Sequence, residues 1–305
     1  MAELVACLHR GKVDVLRPNA APAPLESPYL ARFSGGHLAK PRPTIVSATR
    51  GRTSGELCYA LCSGKTCDVF AQTPGTGQEL RLFNGVEAQL SELDFSPADE
   101  ALACTVTDAG GTSAIGVLSD DGKGLRTVTE GDVIDRAPRW APGGRGEIVY
   151  ASAGIGRNQA GKAVGRSPFA LHRLRFSDNS VEVLMADAQY DYPAVVPISQ
   201  DVLFALRRPL DSARKFTPLA NISSLFRKVL GIDARAHDER LQTHDLVRIT
   251  SKGSQVIAHE VFAFDASDNE TLVYSCEAGV FRIATGRPVE RLSELNQVQQ
   301  LVIYW

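Results

Sequence analysis

An internal repeat constrains this chain more than any other feature, because a recurring unit that cannot bury its apolar side alone must stack on its neighbours. The unit is a short apolar stretch, a turn often led by Ser-Pro or Ala-Pro, and a second apolar stretch. It reads Leu93-Asp94-Phe95-Ser96-Pro97-Ala98 ahead of Ala101-Leu102-Ala103-Cys104, and again Pro138-Arg139-Trp140-Ala141-Pro142 ahead of Glu147-Ile148-Val149-Tyr150. Further copies run over 193–204 and 262–274, and a degenerate one over 43–47 rejoins at 57–61. Their central apolar residues, Ile45, Phe95, Trp140, Val195 and Phe264, are 50, 45, 55 and 69 residues apart. The shorter intervals fit the roughly 40–50 residues of a four-stranded repeat unit, and the longer ones imply insertions.

Two more stretches with period-two alternation follow several copies: 114–118 and 125–128, 170–174 and 181–184, 280–283 and 289–292. The turns between them, Asp120-Asp121-Gly122-Lys123-Gly124 and Ser177-Asp178-Asn179-Ser180, use residues that tolerate tight backbone angles. Helical periodicity is confined to one segment, so the expectation is an all-β meander. Residues 300–305 read as a first strand without followers, and 3–8 and 12–16 as later strands without a leader. Pairing the two ends completes one more unit and removes exposed strand edges. The expected fold is a six-bladed β-propeller closed by its N- and C-terminal strands, one domain over 1–305, with blades beginning near 43, 93, 138, 193 and 262.

The Ser96-Pro97 and Trp140-Ala141-Pro142-Gly143-Gly144 units, with strand pairs behind them, resemble the TolB-like propeller repeat, a relative of WD repeats. The resemblance covers most of 40–305 and implies a six-bladed ring more firmly than any activity, since such rings host unrelated functions. Ser152-Ala153-Gly154-Ile155-Gly156-Arg157-Asn158 and Gly165-Arg166-Ser167-Pro168-Phe169-Ala170 are similar to bacterial propellers of this kind, again without an implied chemistry. TolB itself is an exported periplasmic protein. Residues 1–10 have neither a charged n-region nor a long apolar stretch, so its envelope role is not carried over and a cytoplasmic address is expected.

A formal charge of −2 argues against a globally basic nucleic-acid binder, and no apolar run approaches a membrane span. Six cysteines in 305 residues are too sparse for a disulfide scaffold. Cys58, Cys62 and Cys67 lack zinc-like pairing, so a hairpin turning at Ser63-Gly64-Lys65, with cysteines as small half-buried residues, is expected. A Cys62–Cys67 cross-strand disulfide is the alternative in an oxidising compartment.

Gly156–Ala163 nearly spells a phosphate-binding loop, but Ala163 stands where a hydroxyl is needed and no helix start follows. His237 and His244 are too far apart in a polar stretch for a metal site, His259-Glu260 lacks a second histidine, and no G-x-S-x-G elbow occurs. No cofactor or metal is therefore expected. Residues 207–245 interrupt the fourth copy. Thr217-Pro218 starts an amphipathic helix over 218–230, with Leu219, Ile222, Leu225, Phe226, Val229 and Leu230 on one stripe and Gly231 as its stop. Its alternatives are docking on its own ring, a helix-in-groove contact with a protein partner, or weak peripheral contact with a membrane surface. Arg157, Asn158, Lys162 and Arg166 decorate a second long loop over 154–168, and Arg207 and Arg208 lead into the helical insertion. Asp135, Arg136, Asp191 and Tyr192 should sit near one mouth of the central channel. The expected function is a non-catalytic scaffold that binds a protein partner through these insertions. A metal-dependent, lactonase-like hydrolase or a ligand or peptide sensor in the channel is the alternative.

Overall fold

The structure is a computed structural model that describes residues 3–17, 20–32, 43–108, 110–119, 124–143, 146–210, 242–267 and 271–305. A nearly continuous apolar run makes β1 (Leu4–His9) and an alternating one β2 (Lys12–Leu16), followed by β3 (Ala23–Pro24) and one helical turn, α1 (Pro28–Ala31). Ser27 caps that turn, its hydroxyl accepting the Leu30 N–H at 3.2 Å. Four-stranded meanders follow. The first is β4 (Thr44–Arg50), β5 (Leu57–Ser63), β6 (Thr66–Gln72) and β7 (Glu79–Val86); the second is β8 (Gln89–Ser96), β9 (Ala101–Thr107), β10 (Ser113–Ser119) and β11 (Gly124–Thr127). The third has an additional strand: β12 (Val133–Trp140), β13 (Glu147–Arg157), β14 (Ala163–Arg166), β15 (Ala170–Arg175) and β16 (Ser180–Met185). Then come β17 (Tyr190–Pro197), β18 (Val202–Pro209), β19 (His244–Thr250) and β20 (Gly253–Val261). The chain finishes with β21 (Ala263–Ala266), β22 (Leu272–Cys276), β23 (Gly279–Ile283), β24 (Glu290–Ser293) and β25 (Gln300–Tyr304).

β25 pairs antiparallel with β1, Ala6 opposite Val302, so the first sheet runs β25-β1-β2-β3. A single parallel bridge, Ser113 to Ile134, joins the β8–β11 and β12–β16 meanders into one sheet. Apolar clusters fill the spaces between consecutive units. Tyr59 and Phe70 pack on Leu8, Val15 and Tyr304. Ala60 and Val69 meet Cys104 and Leu118, and Ala103 and Ile115 meet Trp140 and Tyr150. Leu171 meets Leu203 and Val247; Phe204 and Leu246 meet Phe264 and Leu272; Val273 and Val280 meet Cys7 and Leu301. Burying each Val, Leu, Ile or Phe side chain among them stabilises the fold by roughly 1.5–3 kcal/mol.

Side chains also tie the first strands of neighbouring units. The Leu93 and Phe95 N–H groups donate to Ser47 Oγ (2.8 Å) and Thr49 Oγ1 (3.3 Å). Those of Ala137 and Trp140 donate to Glu92 Oε2 (2.7 Å) and Asp94 Oδ2 (2.8 Å). The ties advance in step, so β4, β8 and β12 run in the same direction. Ile303 N–H donates to Asp265 Oδ2 (2.8 Å), and Gln300 exchanges two bonds with the Ala48 backbone. Because buried backbone donors need partners, short hydroxyl and carboxyl side chains do between units what ladder bonds do within them.

One cysteine expectation is corrected. Ser63 and Thr66 close a two-residue turn with Gly64 at φ +62°, which sets Cys62 opposite Cys67. Their Cα atoms are 4.1 Å apart and they form a disulfide; Cys7, Cys58, Cys104 and Cys276 are free. Among the described residues no helix is long and apolar enough to cross a membrane.

Candidate functional site

The first strands begin at one edge of the molecule, here the upper rim, and end at the opposite, lower rim. Two of the expected insertions begin at the upper rim. One is the 154–168 segment, expected as a loop but folded as a β-hairpin: Ile155 pairs with Arg166 and Gly156 with Gly165. Its tip is ordered by Asn158, whose Oδ1 accepts the Ala160 and Lys162 N–H groups at 3.1 and 2.9 Å, with Gly161 at φ +74°. Arg157 makes a paired contact with Asp132, and Lys162 is exposed. The second element, the expected 207–245 insertion, begins at the end of β18 and ends in β19. Strand pairing extends to Arg207 opposite Asp245, and Arg208 Nη1 donates to Gln242 Oε1 at 2.5 Å across the base. The ladder thus occupies the two ends of the 207–245 span. Leu219, Ile222, Leu225, Phe226, Val229 and Leu230, with the helix expected over 218–230, lie outside the described residues.

Asp191 joins the hairpin to the end of β18. It is 1% exposed. Arg166, from the hairpin, donates to both its oxygens at 3.1 and 2.7 Å. Arg208, at the foot of the second element, donates to Oδ2 at 2.9 Å, and Phe169 N–H to Oδ1 at 2.6 Å. Arg166 also lies 4.1 Å from the centre of the Phe169 ring. Burial alone would raise the Asp191 carboxyl; the Arg166 hydrogen bonds and charge, with Phe169 N–H and Arg208, override it and hold the group below the usual carboxylate range. Arg166 is therefore not a loop cation offered to solvent: at 7% exposed it is a buried strut.

The other expected mouth residues diverge because neighbours on a strand face opposite ways. Arg136 reaches Glu92 and lies 5.8 Å from the Phe169 ring. Asp135, 2% exposed, turns instead into the sheet interior near Ser152, Thr129 and His172, where burial raises its pKa. Tyr192 is likewise a core residue, 2% exposed, in the cluster with Phe169 and Val195. Arg207 turns away from Arg208, pairing with Asp245 at 3.2 Å and lying 4.2 Å from the Tyr190 ring centre. His259 completes that group at 2.7 Å from Asp245. His244 is half-buried beside this network. Desolvation and the charges of Arg208 and Arg136 press its pKa down to about 4.

Sequence spacing missed a bridge at the lower rim. Arg139, from β12, lies 3.3 Å from Asp94 of β8 and 3.5 Å from Asp265 of β21, two units further along the chain. Trp140 Nε1 donates to the Asp94 carbonyl at 3.1 Å, and Arg50 Nε to the Phe95 carbonyl at 3.3 Å. This polar crossing brings β8, β12 and β21 together. Among the described residues no group of three or more His, Cys, Asp or Glu side chains is gathered for a metal ion.

No protein-family model matches the chain, and no curated protein matches it in sequence. Solved structures do. TolB from Acinetobacter baumannii superposes with a TM-score of 0.64 at 13% identity over 99% of this chain and 66% of its own length. A chain of the nidogen/laminin complex gives 0.60 at 10% identity, over 100% of this chain and 99% of that one. The tricorn protease gives 0.57 at 11% identity, over 98% of this chain and 34% of its own. This chain thus spans just under two thirds of the TolB it matches. At such identities the likeness is one of fold: an all-β, propeller-like protein.

Proposed function

We propose that this chain is a single six-bladed propeller over 1–305, closed by β25 and β1, and that it works as a non-catalytic protein-interaction module through its upper rim. The ring reading is supported by the β25–β1 ladder, by the succession of apolar clusters that ends between β21–β24 and the first sheet, and by Arg139 reaching across the axis. The observation that carries the functional reading is Asp191. One buried carboxylate binds both Arg166 of the 154–168 hairpin and Arg208 at the end of β18, and the proposal takes the hairpin and the insertion that follows Arg208 as one surface. Insertions on one face of a repeat ring commonly build its binding surface. The exposed face of that surface includes Lys162, Asn158 and Arg157, and the helix expected over 218–230 belongs to the same proposal. The partner is a protein rather than nucleic acid, given the chain's near-neutral charge. A cytoplasmic address requires Cys62 and Cys67 to be reduced in the cell, because disulfides persist in oxidising compartments.

The test is affinity capture from the native host with wild type, Lys162→Glu on the upper rim and Lys252→Glu in the β19–β20 turn at the lower rim. The reading expects a discrete partner set lost with Lys162→Glu and retained with Lys252→Glu. Equal capture by all three forms contradicts it.

A further inference from the structure

A second surface stands apart from the upper rim. Between the β4–β7 and β8–β11 units, toward the lower rim, lies an open cleft of about 340 Å³. Its apolar lining includes Leu82 and Phe83 from one wall and Phe95 and Leu102 from the other. Phe95 and Leu102 are buried, whereas Leu82 and Phe83 are half-buried. Each wall also contributes one charge: Arg52 follows β4, and Glu100 precedes β9.

Both charged residues are exposed, and among the described residues neither side chain has an ion-pair partner. Their surroundings account for that. Beside Arg52, the Glu56 carboxylate is occupied by backbone, accepting the Arg52 and Thr53 N–H groups at 2.7 and 3.3 Å. Beside Glu100, Asp99 is engaged with Ser96 Oγ at 2.7 Å and Gly146 N–H at 3.1 Å. Glu100 itself sits at φ +49°, uncommon for a residue with a side chain. Two neighbouring carboxylates are thus consumed in shaping the turns, while the cation and the anion on the two walls stay available. The cleft therefore combines an apolar floor with a charged group on each wall, and placed polar groups of this kind fix the orientation of whatever a cleft holds.

We propose that this cleft binds an extended peptide segment of a protein partner, with an apolar side chain in the cleft between a carboxylate that meets Arg52 and a cation that meets Glu100. Opposite charges on opposite walls give the site a direction: a peptide in the matching order satisfies both charges, and the reversed order sets like against like. The upper rim plays no part in this contact, so either proposal stands or falls without the other.

The test uses two capped pentapeptides with a central phenylalanine and an aspartate and a lysine at the ends, in the two opposite orders. A serine-ended peptide and free phenylalanine serve as comparisons. Binding is read by NMR from the methyl resonances of Leu82 and Leu102. One charged order is expected to bind about fivefold more tightly than the other, the scale of two exposed ion pairs made or opposed. In the Arg52→Glu/Glu100→Lys variant, whose changes lie at exposed positions, the preference should pass to the other order. Four results overturn the proposal: no shift at those methyls, no preference between the orders, a preference the double reversal leaves in place, or free phenylalanine binding more tightly than either charged peptide.

Discussion

Replacing Asp191 with asparagine removes one charge and almost no volume, so its consequences follow from the contacts that remain. Arg166 stays 7% exposed and loses the only carboxylate that any described residue places against it. Arg208 loses the same partner but keeps Gln242. Removing one member of a buried pair costs about 3–5 kcal/mol, because the remaining charge is left uncompensated. The asparagine oxygen still accepts one bond, which favours the lower half, about 3–4 kcal/mol. At about 2 °C per kcal/mol for a chain this long, the melting temperature should fall by about 6–8 °C at pH 7. Acid supplies a second readout. The folded-state pKa of Asp191 is depressed, so its contribution is present above the unfolded value of about 4 and is lost as pH falls through the folded one. The gap between wild type and variant should therefore narrow in acid. Adding Arg166→Met to Asp191→Asn should recover at least about 1 kcal/mol, since the stranded charge goes with it. Urea and thermal unfolding at several pH values provide the assay. A variant within about 1 kcal/mol of wild type at pH 7 would refute Asp191 as the tie between the two elements.

Three further outcomes are expected. With its pKa depressed to about 4, His244 favours the neutral form on folding. Its contribution is full above about pH 6.5, and roughly 3 kcal/mol falls away toward pH 4, a limb that His244→Gln should flatten in pH-dependent unfolding. The Cys62–Cys67 bond closes a loop of sequence separation 5, and the chain-entropy relation assigns it about 2 kcal/mol. Reduction should lower the unfolding midpoint accordingly, and thiol labelling that finds both cysteines free in air-oxidised protein would contradict the pairing. Gly279 has φ +129°, and a Cβ there would overlap the Ser293 carbonyl oxygen, so Gly279→Ala should cost about 1–3 kcal/mol in urea unfolding.

Much of the strand order is legible in the sequence because the repeat places one large apolar residue in each first strand. Ile45, Phe95, Trp140, Val195 and Phe264 all prove buried. β7 and β20 are harder to read: their side chains are mostly half-buried or exposed, so no buried apolar run marks them. The 154–168 hairpin was hidden for a related reason. Gly154, Gly156 and Gly165 give no pattern, although the Asn158–Gly161 turn was a usable signal. The candidate site was legible as residues but not as an arrangement. Asp191, Arg166 and Arg208 were each singled out, yet the bonds joining them span 25 and 17 positions, and no local spacing encodes such contacts. Alternation would have separated Asp135 from Arg136 and Arg207 from Arg208 had it been applied residue by residue.

Site-specific photo-crosslinking in the native host tests the upper rim most directly, with benzoylphenylalanine placed at Lys162 or, for comparison, at Lys252. Both positions are exposed, at opposite rims. A discrete protein adduct from position 162, absent from position 252, is the predicted result; adducts from 252 alone, or from neither, would contradict the assignment.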